Sequence, residues 1–238
     1  MKLYGKNVCL ETLKTNPNKV EKVFIRKNIK GNKIEAIIKL CRENKIPFIF
    51  YQDKHSENDT QGVYLVKASA CIIDDDMLLS DFAELKKGYI LVIDSIYDPR
   101  NLGAIIRSAS AFYCYGIVLP KRNSPPISDV VYKTSSGYVE KIKITRTVNI
   151  ARFLDQVKEL GIQVVGLSVS GNTQLEGFSF DTKVCIVVGS EDKGIRLNVA
   201  KRCDSLVRIP MQQGIDSLNI SVACSITFYE IFKQLFFK

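Results

Sequence analysis

Apolar and polar positions follow two different periods in the first third of the chain. Apolar residues recur at helical spacing over residues 6–13 and 34–41. Short runs rich in β-branched and aromatic residues, which are typical of strands, lie at 22–25, 48–51 and 62–66. This mixture predicts a small α/β unit in the amino-terminal part of the chain.

Longer strands alternate with helices from residue 88 onward. Residues 89–94, YILVID, form an almost unbroken apolar run, which is typical of a strand buried on both faces. Further strands are predicted at 116–119, 163–167 and 183–188, and helices at 101–114, 150–160 and 217–237. Alternation of this kind predicts an α/β fold with a largely parallel sheet and helices on both sides.

Charge divides the chain into three parts. Residues 1–73 carry 14 Lys and Arg against 7 Asp and Glu, residues 74–87 carry 2 against 5, and residues 88–238 carry 18 against 13. Because a short acidic segment separates two basic ones, we predict a linker at 74–87 between two domains, 1–73 and 88–238. The alternative is an acidic, solvent-facing helix inside a single domain.

Composition narrows the class of protein. The 238 residues carry a net charge of +9, which attracts polyanions, chiefly nucleic acid. The seven cysteines are dispersed without a C-x-x-C pair, so we expect buried thiols and no metal site. The N-terminus lacks the apolar core of a signal peptide, and the apolar C-terminal stretch contains Asn219, Glu230 and Lys233. We therefore expect a cytoplasmic protein with no membrane segment.

Several common catalytic motifs are absent. The chain has no G-x-x-x-x-G-K-[ST] loop, no G-x-G-x-x-G after a strand and no G-x-S-x-G elbow. Its single histidine, His55, lies in the polar segment QDKHSEN and is predicted to be a surface loop residue. These absences argue against nucleotide-loop enzymes, dinucleotide-binding enzymes and histidine-dependent hydrolases.

The end of the predicted strand 89–94 carries a first set of candidate site residues. The strand ends at Asp94, and the segment DPRNLGAIIR then turns into a helix. Ligands of open α/β sheets bind at the carboxyl ends of strands, so Asn101 and Arg107 lie where a site is expected. An arginine on an otherwise apolar helix needs an anion or a carboxylate, and the alternative is an ion pair with Asp94 or Asp98.

Two more strand ends carry polar residues. The segment VCIVVGSEDKGI leaves its strand at Gly189, which allows close backbone approach, and Glu191 adds a carboxylate. In the segment LVRIPMQQGIDSLNIS, a short strand reaches Pro210 and an irregular loop follows it. The last helix then opens with unusually polar residues, Ser217, Asn219 and Ser221. In the alternative reading, Asp216 or Ser217 serves only as the N-cap of that helix.

The three segments together resemble a known set of motifs. D-P-R-N-L-G-A-I-I-R, V-G-S-E-D-K-G-I and R-I-P-M…S-L-N-I-S-V-A are similar, in type, order and spacing, to the three motifs of SpoU (TrmH-type) RNA 2′-O-methyltransferases of the SPOUT superfamily. The resemblance covers residues 88–238. Residues 1–73 resemble the family's substrate-binding domain, which is similar to ribosomal proteins L30e and L7Ae.

The resemblance implies a fold and an activity. The fold is a trefoil-knotted C-terminal α/β domain with a largely parallel sheet, preceded by an L30e-like α/β domain that binds RNA. The activity is transfer of a methyl group from S-adenosylmethionine to a ribose 2′-hydroxyl, that of a guanosine in 23S rRNA, by a homodimer. The alternatives are a tRNA guanosine 2′-O-methyltransferase and a non-catalytic RNA-binding protein of ribosome assembly.

The resemblance also implies roles for individual residues. The catalytic positions are Asn101, Arg107, Glu191, Ser217, Asn219 and Ser221. The positions that hold the methyl donor are Gly189, Ile209, Met211 and Leu218. We interpret Arg107 as a clamp on a substrate phosphate, because a guanidinium does not act as a base. One departure from the family pattern is Tyr113, which stands where glycine is usual.

Overall fold

The computed structural model describes residues 1–52, 61–68, 72–190 and 192–237, which form two compact units. Unit 1 comprises Met1–Ala70 and Ile127–Lys141, and unit 2 comprises Cys71–Pro126 and Ile142–Lys238. His55, which was predicted to lie in a surface loop, is outside the described residues.

The helices and strands follow one another along the chain in both units. The helices are α1 (Lys6–Thr15), α2 (Asn32–Glu43), α3 (Asp75–Ala83), α4 (Pro99–Ala111), α5 (Asp129–Thr134), α6 (Ile150–Glu159), α7 (Leu197–Ala200) and α8 (Ile220–Phe236). The strands are β1 (Lys2–Tyr4), β2 (Val20–Arg26), β3 (Phe48–Tyr51), β4 (Val63–Lys67), β5 (Gly88–Ile93), β6 (Cys114–Pro120), β7 (Lys143–Thr147), β8 (Gln163–Leu167), β9 (Thr173–Gln174), β10 (Lys183–Val188) and β11 (Ser205–Arg208). None of the described helices is long and apolar enough to cross a membrane.

Unit 1 is built on a four-stranded sheet in the order β1-β4-β2-β3. Strands β2 and β3 are parallel, and the other pairs are antiparallel. Alternate residues such as Val23 and Ile25 are fully buried, as expected for a sheet covered on one face. The small α/β unit that the periodicity predicts is confirmed.

A buried ion pair holds residues 127–141 in unit 1. Lys67 is the last residue of β4 and occupies one of the alternate, buried positions of that strand. Its side chain and that of Glu140 are both buried. Lys67 Nζ and the hydroxyl of Tyr132 both donate to Glu140 Oε1, and Asn16 Nδ2 donates to Oε2 at 2.6 Å. Burial and the hydrogen bond with Glu140 raise the pKa of Tyr132, so this phenol stays protonated. The sequence prediction instead placed 127–141 in the second domain.

Replacing Lys67 with methionine is expected to lower the free energy of unfolding of unit 1 by about 3–5 kcal/mol, because the carboxylate of Glu140 then stays buried without its counter-ion. Urea denaturation followed by circular dichroism measures the change. Lys39→Met is the matched control, since Lys39 pairs with Glu43 on the exposed face of α2 and such pairs contribute at most about 1 kcal/mol. Equal denaturation midpoints for the two variants would contradict the expectation.

Unit 2 is built on a seven-stranded, entirely parallel sheet in the order β7-β6-β5-β10-β8-β11-β9. All six residues of β5 are buried, as the apolar run predicts. The prediction of a largely parallel sheet is confirmed.

Helix α3 occupies most of 74–87, which was predicted as a linker, and its Leu78 and Phe82 belong to the core of this unit. Three of the five acidic residues of the segment, Asp74, Asp75 and Asp76, lie at the start of that helix, where the helix dipole favours negative charge.

Capping residues set helix boundaries that periodicity alone placed incorrectly. Helix α4 begins at Pro99 because Asp98 accepts a hydrogen bond from the backbone N–H of Arg100 at 2.7 Å. It ends before Tyr113, whose φ of 61° is left-handed, and Cys114 already belongs to β6. A left-handed φ favours glycine, which is the residue that the motif resemblance implies at this position. In this chain the ring of Tyr113 stacks on that of Phe232, with 5.9 Å between the ring centroids.

Candidate active site

A cavity of about 490 Å³ opens at the carboxyl edge of the unit 2 sheet, beyond the ends of β8, β10 and β11. Parallel α/β sheets bind ligands at this edge. Five of the ten residues predicted for the site line the cavity: Gly189, Ile209, Met211, Ser217 and Leu218. The rest of the wall combines apolar side chains such as that of Ile195 with the hydroxyl groups of Ser168 and Ser190 and with the charged side chains of Asp192, Lys193 and Asp216.

The loop after β10 leaves no room for a side chain at Gly189. A Cβ atom there would lie 1.9 Å from the carbonyl carbon of Gly194 and 2.1 Å from the backbone nitrogen of Ile195. Ser190 and Gly194 exchange backbone hydrogen bonds of 3.2 and 2.9 Å, and Gly194 has a φ of +63°. The loop is therefore closed on itself and forms one wall of the cavity. Glu191, predicted to be catalytic, lies outside the described residues.

A cluster of polar side chains joins the beginnings of α4 and α8. Asn219 Nδ2 donates to Asn101 Oδ1 at 3.1 Å. Asn219 Oδ1 accepts from the backbone N–H of Ser221 at 2.9 Å and from its hydroxyl at 2.6 Å. Asn219, and not Asp216 or Ser217, is thus the N-cap of α8, so this helix begins three residues later than predicted. The structure brings together three of the six predicted catalytic residues, Asn101, Asn219 and Ser221.

Arg107 is exposed on α4 and does not line the cavity of its own chain. The predicted alternative, an ion pair with Asp94 or Asp98, is wrong. Buried Asp94 pairs with Arg196, accepting from its Nη2 at 2.5 Å and from its backbone N–H at 2.9 Å, and Asp98 caps α4. No described carboxylate forms an ion pair with Arg107, so its guanidinium can bind an anion from outside the described chain.

Arg196 directly follows Ile195, which lines the cavity, and the sequence analysis did not predict a role for it. Its hydrogen bonds with Asp94 raise the pKa of the Arg196 guanidinium. The position of Asp94 in the sequence does indicate that it has a cationic partner, because a carboxylate at the end of a fully buried strand needs one. Its partner lies 102 residues away in the sequence, where no local pattern identifies it.

The cysteine thiols in the described part of the chain are not activated. Burial raises the pKa of Cys41 to about 11 and those of Cys114 and Cys203 to about 12. These thiols stay protonated near neutral pH and are poor nucleophiles.

Residues 1–52, 61–68, 72–190 and 192–237 contain no group of three or more His, Cys, Asp or Glu side chains that could bind a metal ion. The polar groups that line the cavity are hydroxyls, backbone groups and the charged side chains of Asp192, Lys193 and Asp216, which can orient a bound molecule through hydrogen bonds.

Two family profiles match the chain. The profile of the SpoU rRNA Methylase family matches residues 88–229, and the profile for RNA 2′-O ribose methyltransferase substrate binding matches residues 2–66. YacO of Bacillus subtilis (strain 168), which is named as a TrmH family tRNA/rRNA methyltransferase, is 32% identical over 97% of this chain and 94% of its own length.

Solved structures share the fold. The SpoU methyltransferase AviRb of Streptomyces viridochromogenes superposes with a TM-score of 0.81 at 20% identity, covering 99% of this chain and 89% of its own. An AdoMet-bound rRNA methyltransferase of Sinorhizobium meliloti gives a TM-score of 0.78 at 21% identity, covering 98% of this chain and 87% of its own. The sequence matches and the shared fold agree, and this chain belongs to the SpoU (TrmH) family of RNA methyltransferases.

Proposed function

We propose that this protein transfers a methyl group from S-adenosylmethionine to the ribose 2′-hydroxyl of a guanosine in 23S rRNA. The observation that carries the proposal is the pairing of a methylase domain, whose sheet edge forms a nucleoside-sized cavity, with a substrate-binding domain at residues 2–66. The S. meliloti rRNA methyltransferase, which matches across both units, supports rRNA over tRNA as the substrate.

The cavity suits the methyl donor. Its volume of about 490 Å³ falls within the range of about 300–1,000 Å³ found for small-molecule sites. Ile209, Met211 and Leu218 offer apolar contact to an adenine ring, and the backbone beside Gly189 offers hydrogen-bonding groups to adenosine. When held by these residues, S-adenosylmethionine would supply an electrophilic methyl group for the ribose 2′ oxygen, and its bond to sulfur would break to leave S-adenosylhomocysteine and one released proton.

The catalytic task of the protein is chiefly to position the ribose. We assign Arg107 to clamp the phosphate next to the target ribose and to polarise its 2′-hydroxyl. Asn101 and Asn219, which hydrogen bond to each other, orient the ribose, while Ser217 and Ser221 shape the loop around it. Glu191 completes this set. Correct orientation alone contributes about 7–11 kcal/mol in well-aligned reactions.

The site is completed in a homodimer. Helix α8 exposes an apolar stripe at positions four and three residues apart, with Val222, Ile226 and Tyr229 each about 40–50% exposed. Arg107 lies beside Ser108, whose hydroxyl bonds to that of Ser225 on α8 at 2.8 Å. A second copy seated on this stripe covers the apolar residues and brings Arg107 near the cavity of its partner.

The first unit supplies RNA affinity. Arg26, Lys27, Lys30 and Lys33 are exposed between the end of β2 and the first turn of α2. On the sheet beside them, Tyr64 stacks on Phe24 with 4.6 Å between the ring centroids. Clustered cations next to aromatic rings suit an RNA backbone and its bases. We also expect the protein to be cytoplasmic, because its proposed substrate is ribosomal RNA. The trefoil knot implied by the family resemblance stays a prediction for unit 2.

Two measurements test the proposed function. Calorimetry on the purified protein is expected to detect binding of S-adenosylmethionine. Mapping of 2′-O-methyl groups across rRNA and tRNA in a deletion strain is expected to show one guanosine of 23S rRNA unmethylated. Loss of a tRNA methyl group instead establishes the tRNA alternative. A strain that loses none, with a protein that binds no donor, establishes the non-catalytic alternative.

A further inference from the structure

A second groove, of about 530 Å³, opens at the same carboxyl edge of the unit 2 sheet, beyond the ends of β6 and β7. Its lining is basic and apolar: Pro120, Lys121, Arg122, Asn123, Val148, Ile150 and Arg196. None of these described lining residues is acidic. No residue of the groove belongs to the predicted catalytic or donor-binding set.

The backbone of the groove is held rigidly. The backbone N–H of Lys121 donates to the carbonyl of Thr147 on β7 at 2.8 Å. The hydroxyl of Ser124 donates to the carbonyl of Pro120 at 2.6 Å and accepts from Arg146 Nη1 at 3.0 Å. The cationic side chains therefore project from a preformed loop, which lowers the entropic cost of binding a ligand.

The charge of the groove is largely uncompensated. Lys121 and Arg122 are exposed, and neither forms an ion pair or a side-chain hydrogen bond with any residue that the structure describes. Arg196 is fixed by Asp94, yet 52% of its side chain remains exposed. Because Asp94 balances Arg196, the groove carries a surplus of two positive charges. The apolar side chains of Val148 and Ile150 lie beside them, so the lining matches a ligand that joins an anion to an apolar ring or sugar.

The groove and the donor cavity are neighbours along the sheet edge. Ile195 lines the cavity, and the next residue, Arg196, lines the groove. Helix α4, which carries Asn101 and Arg107, follows β5, and β5 lies between β6 and β10 in the sheet. An RNA strand with its target ribose at the cavity therefore has its adjoining nucleotides within reach of the groove.

We infer that this groove binds a backbone phosphate of the substrate RNA, on a nucleotide that neighbours the methylated one. The inference rests on the proposed function. Lys121 and Arg122 donate to the phosphate oxygens, and Val148 contacts the attached ribose or base. The groove thus fixes the register of the strand across the active site, and phosphate contacts perform this role in nucleic-acid complexes generally.

The test compares two variants with the same change in charge. Lys121→Ala/Arg122→Ala removes the two cations of the groove, while Lys86→Ala/Lys201→Ala removes two exposed lysines that precede β5 and β11, at the opposite edge of the sheet. The probes are unmodified transcripts of 23S rRNA and of tRNA, titrated over a series of salt concentrations. Affinity for S-adenosylmethionine is measured in parallel by calorimetry.

The groove variant is expected to bind its substrate RNA at least about tenfold more weakly, with the slope of log affinity against log salt reduced by about 0.7–0.9 for one lost phosphate contact. Its donor affinity is expected to be unchanged, and the control variant to bind RNA normally. An equal loss in both variants, or no loss in the groove variant, overturns the groove as a site. Failure of the unaltered protein to bind either RNA overturns the proposed function and the groove with it.

Discussion

Replacing Arg107 with alanine is expected to lower the rate of methyl transfer by about 10³-fold while S-adenosylmethionine still binds with its normal affinity. The guanidinium is exposed, no described carboxylate pairs with it, and it lies outside the donor cavity of its own chain. Its removal therefore leaves the donor site intact. What is lost is the cationic group proposed to hold the substrate phosphate and polarise the ribose hydroxyl, and losing one such donor typically costs about 10²–10³-fold.

Single-turnover methyl transfer to unmodified RNA measures the rate, and calorimetry measures donor binding. Arg100→Ala is the matched control, because Arg100 is also exposed on α4, about two helical turns away, and has no assigned role. Arg107→Lys separates charge from shape, since lysine keeps the charge but loses the planar fork. Turnover retained in Arg107→Ala would remove this residue from the mechanism.

Unbroken apolar strands were predictable from the sequence. The predicted spans 163–167 and 183–188 coincide with β8 and β10, because buried parallel strands leave a continuous apolar signal. Strand β7 was missed because its sequence, KITRT, has a single strongly apolar residue, Ile144, among charged and polar ones, so no apolar run marks it as a strand. Short strands such as β1, with three residues, carry too few positions for a period to be visible.

The site was predictable only where local sequence determines it. The rule that ligands bind at the carboxyl ends of parallel strands led to the neighbourhoods of Gly189 and Asn101. Pairings between distant residues were beyond local patterns: Lys67 meets Glu140 across 73 positions and moves residues 127–141 into unit 1. In the same way, the choice of Arg196 as the partner of Asp94 left Arg107 without that partner.

Gly189→Ala is expected to reduce the affinity for S-adenosylmethionine by at least about 10³-fold. The added methyl group would lie 1.9–2.1 Å from backbone atoms of Gly194 and Ile195, which cannot rotate away as a side chain could. The loop must shift as a whole, and that loop forms a wall of the cavity. Calorimetric titration with the donor measures the loss, and circular dichroism verifies that the variant is folded.

Two further variants separate the blocked cavity from general destabilisation. Gly161 has a φ of +69° and open space around it, so Gly161→Ala adds backbone strain of about 1–2 kcal/mol without touching the cavity. Leu218→Ala removes an apolar part of the cavity wall without any clash, and we expect about tenfold weaker donor binding from the lost contact area. If Gly189→Ala binds the donor as well as Gly161→Ala does, the donor does not occupy this cavity. A loss in both Gly189→Ala and Leu218→Ala, but not in Gly161→Ala, is the pattern that donor binding in the cavity requires.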